Sequence, residues 1–207
     1  MEQKPYIITI VGPESSGKTT LASQLAAEFG CPWVPEYARE YLEGRGGYYN
    51  EADLEVIAEG QLVVISNQLS VFGNQSPIGS EQSSVLPPSP LYFDLLLRNL
   101  VLQLSNHGGF NGESILVFQR EDFGDEPRPV LIIDSGMMGI RMWAKIKYNK
   151  TIPVVEESLQ EDITSMYILC RSVWPWESDP LREAPLLLDR VWIYNHYLKE
   201  LFLSQAK

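Results

Sequence analysis

Tyr6-Ile7-Ile8-Thr9-Ile10-Val11-Gly12-Pro13-Glu14-Ser15-Ser16-Gly17-Lys18-Thr19-Thr20 is the segment from which the rest of the chain takes its meaning. It opens with a β-branched apolar run suited to a buried strand. Residues 12 to 19 then match G-x-x-x-x-G-K-[ST], and beyond Thr20 the residues Leu21, Leu25 and Phe29 fall at helical spacing. Strand, glycine loop and helix therefore come in the order that a phosphate-binding loop requires. In such a loop the backbone N–H groups curl around phosphate oxygens and the helix N-terminus adds partial positive charge. Lys18 is placed to reach β and γ oxygens, and the Thr19 hydroxyl to take one Mg²⁺ position. Gly12 and Gly17 permit the turn's backbone angles. With Glu14, Ser15, Ser16 and Thr20 they complete the expected binding set for ATP.

Composition bounds what surrounds this loop. A length of 207 residues with 44% apolar content suits one α/β domain, or one domain carrying an insertion. A net charge of −11 disfavours long nucleic-acid partners, whose binding depends on clustered Lys and Arg. Cys31 and Cys170 lie far apart beside apolar runs, which suits buried free thiols in a reducing compartment. The sequence carries no leader pattern, and no run approaches the ~18 apolar residues of a membrane span. A cytoplasmic protein with no membrane partner is the expectation.

The remaining elements follow from pattern. Cys31 to Pro35 reads as a brief strand delivering Glu36 at its end, and Glu36 to Glu43 as a helix stopped by Gly44, Gly46 and Gly47. Glu51 to about Gln68 reads as a second helix, with Gly60 a weak point inside it. Gly73 to Pro90 is polar and loop-like, Leu91 to Leu104 is apolar nearly all round, and Ile115 to Phe118 is a candidate strand. Val130-Leu131-Ile132-Ile133-Asp134 has the form of a buried parallel strand that presents a carboxylate at the edge where ligands of open α/β sheets bind. A helix over Met138 to Lys147, a short helix closing over Leu159 to Ile163, a strand over Met166 to Cys170 and a final helix from Leu186 to about Ser204 complete the reading.

Four segments together carry a resemblance more specific than the loop. Gly12 to Thr19, Val34-Pro35-Glu36-Tyr37-Ala38-Arg39-Glu40-Tyr41, Glu59-Gly60-Gln61 and Trp174-Pro175-Trp176-Glu177-Ser178-Asp179-Pro180-Leu181-Arg182-Glu183 occur in the order seen in NadR-type nicotinamide riboside kinase domains. The chain resembles that family over roughly residues 4 to 66 and 130 to 202. The resemblance implies a P-loop NTPase α/β three-layer sandwich around a central parallel sheet. It also implies an activity, ATP- and Mg²⁺-dependent phosphorylation of the 5′-hydroxyl of nicotinamide riboside to nicotinamide mononucleotide. Three departures stand out. The family's Asp-Thr-Asp reads Asp134-Ser135-Gly136, so the second acid is missing; residues 67–129 form an insertion; and the chain stops at Lys207, where relatives continue into a further strand near the adenine, which weakens the expected grip on nucleotide.

Phosphoryl transfer needs a phosphate cradle, a metal, a group that orients the acceptor hydroxyl and a cation over the leaving phosphate. Lys18, Glu36, Asp134 and Arg182 are the catalytic candidates, with Thr19 and Asp134 as metal ligands. Asp134 either holds Mg²⁺ or is a solvated strand terminus. Glu36 either orients and deprotonates the acceptor hydroxyl or caps the helix that follows. Arg39, three residues on, contacts substrate or pairs with Glu36 or Glu40. Tyr37 and Tyr41 pack together or stack on a pyridinium ring. Trp174 to Arg182 reads as a lid or a structural loop, with Trp176 a substrate contact and Arg182, or alternatively Arg171, the cation. His107 and His196 receive no role. The insertion offers packing surface or a contact for a homo-oligomer, and the partner expected is a small molecule. Two other readings compete: an ATP-binding regulatory domain that has lost catalysis, and a kinase or hydrolase of the same fold with another acceptor.

Overall fold

The computed structural model describes residues 4–46, 48–73, 115–121, 128–172, 183–184 and 186–205. At its centre lies β1 (Tyr6–Val11), every residue of which is buried, as its unbroken β-branched run predicts. Along it run β4 (Val130–Asp134) and β5 (Met166–Cys170), also buried throughout. The short β2 (Trp33–Val34) pairs with β4, and β3 (Ile115–Gln119) takes the opposite edge, giving the order β2-β4-β1-β5-β3. Four of the strands are mutually parallel; β3 is antiparallel to β5, with Ile115 opposite Cys170 and Phe118 opposite Tyr167. The parallel-sheet expectation therefore holds except at this edge. Although β3 precedes β4 in sequence, it lies three strands away from it, with β1 and β5 between. Its residues explain the position: Ile115 and Phe118 are buried against the two faces, while Leu116 and Val117 stay exposed.

Helix α1 (Lys18–Phe29) covers one face, packing Leu21, Leu25 and Phe29 on Tyr6, Ile8 and Ile10. The other face is covered by α3 (Glu51–Gly73), α4 (Gly136–Tyr148) and α6 (Leu187–Gln205), with α2 (Tyr37–Glu43) and α5 (Pro153–Gln160) packed alongside. Arg141 and Lys145 of α4 meet Glu200 of α6, and Arg141 also meets Glu156 of α5, which joins the three helices by charge-assisted bonds.

Several boundaries differ from the sequence expectation. Helix α1 begins at Lys18 because the loop's Gly17 carbonyl already accepts the Leu21 N–H, at 2.9 Å. Helix α5 stops at Gln160, short of Ile163. The Asp162 carboxylate there takes the Thr164 N–H (3.0 Å) and the Tyr167 hydroxyl (2.8 Å), turning the chain into β5. Helix α3 runs past Gln68 to Gly73, and its start is a reciprocal cap. Asn50 Oδ1 accepts the Ala52 N–H, and Asp53 Oδ2 accepts the Asn50 N–H, each at 2.8 Å. Gly60, the apparent weak point of that helix, is the place where the Tyr37 ring comes closest. A Cβ there would lie 2.0 to 2.5 Å from the ring atoms. The expectations for Gly73 to Pro90, Leu91 to Leu104 and Trp174 to Arg182 fall on residues outside the described set, apart from Gly73 itself. Both cysteines are free, and burial pushes each thiol up to about 12.

Candidate active site

The phosphate loop sits where the carboxyl ends of β1 and β4 meet the start of α1. Gly12 (φ 146°), Ser15 (φ 54°) and Gly17 (φ 78°) all have positive φ, which wraps the loop into a cradle. Gly12 has no alternative, since a Cβ would lie 2.4 Å from the Cys170 carbonyl oxygen. Inside the cradle the hydroxyls of Ser15 and Ser16 are buried with no hydrogen-bond partner. Unpaired buried hydroxyls are costly, and here they line a cavity shaped for oxyanions, so the residues present fit a bound triphosphate. Lys18 Nζ donates to the Pro13 carbonyl at 2.9 Å, which holds the ammonium over the loop.

The Thr19 hydroxyl donates to Asp134 Oδ2 at 2.6 Å, so the two proposed metal ligands, which lie far apart in sequence, are brought into direct contact. The backbone just beyond Asp134 turns sharply, with Ser135 at φ 65° and Gly136 at φ 51°. A side chain at 136 would be strained, and its Cβ would press on Ile133 and Thr9 at 3.2 and 3.3 Å. The absence of a second acid there is built into the local backbone.

Glu36 follows β2 at the mouth of the same cavity. It lines the pocket together with Gly12 to Thr20, Arg39, Tyr49, Trp143 and Tyr197. Burial pushes its carboxyl above the ordinary range; Lys18 and Arg39 oppose the shift, and the charges of Asp134 and Glu14 reinforce it. Although Glu36 precedes α2, it makes no side-chain capping bond. Gln61 of α3 does so instead: its Oε1 accepts the Tyr37 N–H at 2.8 Å and its Nε2 donates to the Pro35 carbonyl at 3.3 Å.

Glu14, which also lines the cavity, is tied to residues that precede α6. Its carboxylate accepts the N–H groups of Glu183 (2.8 Å) and Ala184 (3.0 Å), and its backbone carbonyl accepts the Ser172 hydroxyl at 2.9 Å. Burial raises this carboxyl too, and the two N–H groups partly offset the effect. Tyr37 is not among the residues lining the pocket. Its ring lies against Gly60, with Tyr41 6.3 Å away, and the Tyr41 hydroxyl donates to Asp53, so that placement gives no support to substrate stacking. Arg39 is exposed at the pocket rim, and Arg171 lies 5.9 Å from the Tyr194 ring. Trp176 and Arg182 lie outside the described residues.

The rest of the cavity lining could not be read from sequence. Trp143, Tyr49, Ile140, Leu42, Leu54 and Ile57 contribute the apolar and aromatic part of the lining. Tyr197 also lines the cavity, its hydroxyl near Gly139; burial and the charges of Glu36, Asp134 and Glu14 push that phenol above its ordinary value. Helical spacing marked Leu54 and Ile57 as an apolar face, and nothing in the sequence pattern set Tyr49, between α2 and α3, or Trp143, within α4, apart as cavity lining.

The fold and the phosphate loop have counterparts among known proteins. Residues 7–70 match the family model described as an AAA domain. The fold is shared with two solved structures of NadR protein. The complex with NR aligns with a TM-score of 0.53 at 16% identity, covering 98% of this chain and 43% of the other. The complex with NAD and AMP-PNP aligns with a TM-score of 0.55 at 16% identity, covering 96% and 41%. The chain thus spans less than half the length of the structures it matches. No curated protein sequence matches it. The chain has the α/β P-loop fold of those NadR structures, with a nucleotide-binding loop intact in sequence and shape.

Proposed function

We propose that this P-loop chain is an ATP-dependent small-molecule kinase that phosphorylates the 5′-hydroxyl of nicotinamide riboside to give nicotinamide mononucleotide. One observation carries the reading: a single cavity is lined by the phosphate loop, by Glu36, whose side chain makes no capping bond, and by apolar and aromatic residues that include Tyr49 and Trp143. A hydrolase has no need of that aromatic lining, whereas a flat acceptor base does. A pyridinium ring there would gain from the electron-rich face of Trp143, on the order of 1 kcal/mol; the Tyr49 ring already carries the Lys147 ammonium, 3.8 Å from its centroid.

In this reading the loop N–H groups and Lys18 hold the β and γ phosphates, and Glu36 receives the proton of the attacking hydroxyl. Thr19 and Asp134 would hold Mg²⁺, which when bound neutralises charge on the phosphate oxygens. Two hard oxygen donors are sufficient protein ligation for an ion that keeps waters and phosphate oxygens. Arg182 is the candidate cation for the transferring group, and Trp176 a candidate substrate contact. The described parts of the chain contain no helix long and apolar enough to cross a membrane.

The test is ATP consumption with Mg²⁺ in the presence and absence of nicotinamide riboside, with product followed by mass spectrometry and other nucleosides as controls. Riboside-dependent formation of the mononucleotide supports the kinase and shows that an acid at position 136 is dispensable. ATP binding without turnover on any nucleoside overturns it in favour of a regulatory nucleotide-binding domain, the reading to which Gly136 points.

A further inference from the structure

The corner between β2 and α2 presents a conflict that the fold resolves in an unusual way. The N-terminus of a helix offers unpaired N–H groups and partial positive charge, and a carboxylate at the preceding position is drawn to them. Glu36 occupies that position, with φ −68° and ψ 109°, yet its side chain makes no capping bond. The group that does so comes from another helix. Gln61 is 1% exposed, and its carboxamide spans Glu36, accepting from the N–H of the residue after it and donating to the carbonyl of the residue before it. Gly60 lets this happen, since only a residue without a Cβ allows α3 to approach the Tyr37 ring so closely.

We propose that Gln61 is a positioning residue for the acceptor carboxylate. By tying the backbone on both sides of Glu36, it fixes the direction in which that side chain leaves the chain, into the pocket with Lys18. The inference rests on the acceptor role proposed for Glu36. It also gives the Glu59-Gly60-Gln61 segment a mechanical purpose: glycine for the approach and glutamine for the splint.

The experiment is a double-mutant cycle on the full chain with ATP and nicotinamide riboside, using Gln61→Met, which keeps the volume and loses both hydrogen bonds, Glu36→Gln, and the pair. Gln61→Ala serves as a second variant, and melting temperatures are followed throughout. A misplacement of about 1 Å can cost about 100-fold in rate, so Gln61→Met is expected to lower kcat by about 10- to 100-fold with the KM for ATP nearly unchanged. In the Glu36→Gln background the same change should cost about twofold or less, because the carboxylate it serves is gone. A crystal structure of Gln61→Met should show the Glu36 carboxylate within hydrogen-bond reach of the first N–H groups of α2. Equal losses in both backgrounds would make Gln61 merely structural and overturn the proposal. So would a Glu36 side chain that has not moved in the variant's crystal structure, whatever the acceptor. By contrast, wild-type turnover in Glu36→Gln itself would sink the acceptor role of Glu36, a separate failure.

Discussion

Glu36 meets opposing demands, because the burial that suits it to accept a proton also costs stability. Its carboxyl lies above the ordinary range, chiefly through burial. The folded state therefore binds this proton more tightly than the unfolded state. Its contribution to stability is present below the ordinary carboxylate value of about 4.3 and is lost as pH rises through the raised folded value. Glu36→Gln removes that loss, so the variant should melt higher than wild type at neutral pH, with the gap opening as pH rises from 4. Thermal melts at a series of pH values check this. The same variant should lower kcat by roughly 100- to 10,000-fold and remove the acidic limb of the kcat/KM profile, which in wild type should lie above the ordinary carboxylate range. Lys18→Ala should abolish detectable transfer while leaving the melting temperature within a few degrees, because Lys18 serves the ligand and not the core. Lys18, Thr19 and Asp134 were legible in the sequence because each sits at a fixed offset in a motif or at a strand end. Gln61 was not, because its task depends on a partner 24 residues away, and spacing along a helix says nothing about that.

At the scale of the element, intrinsic propensity and tertiary contact pull in different directions in α3. Ala is normally better than Gly inside a helix by about 1 kcal/mol. At position 60 the sign should reverse. The added methyl would collide with the Tyr37 ring, and overpacking of that kind costs roughly 1 to 3 kcal/mol. Gly60→Ala is thus expected to lower the melting temperature by several degrees, and Tyr37→Ala in the same chain to return part of it; scanning calorimetry of the two variants and the pair decides. The start of α3 is a second such case. Asp53 takes the Asn50 N–H and the Tyr41 hydroxyl and pairs with Arg45, and these hold its carboxyl below the usual range. Its contribution is present above the unfolded value of about 3.9 and is lost as pH falls through the lowered folded value. Asp53→Asn should destabilise the chain at pH 7 and have a smaller effect near pH 3, as read from melts at the two pH values.

For the molecule as a whole, the cradle is the place where ligand and fold are linked. Triphosphate oxygens would satisfy the buried hydroxyls of Ser15 and Ser16, groups that otherwise detract from stability. A nucleotide at 100 times its Kd adds about 2.7 kcal/mol, a rise of roughly 5 to 10 °C for a chain of this size. ATP with Mg²⁺ should produce such a rise in wild type, and Lys18→Ala should lose most of it, in a fluorescence-monitored melt. The same linkage reaches Ser172, Glu183 and Ala184, which Glu14 ties to the loop from both sides of the intervening segment.

By itself, the amino-acid sequence determined the strand, loop and helix of residues 6 to 29, the buried strands ending at Asp134 and Cys170, and the candidates for phosphate and metal contact. These are local: period, glycine placement and offset within a motif are properties of contiguous residues. Tertiary structure alone decided the edge position and antiparallel direction of β3, the aromatic wall of Tyr49 and Trp143, the packing of Tyr37 away from the pocket, and the service of Gln61 to Glu36. Each depends on which surfaces meet when the helices close on the sheet, and that choice is made by the burial of residues distant in sequence.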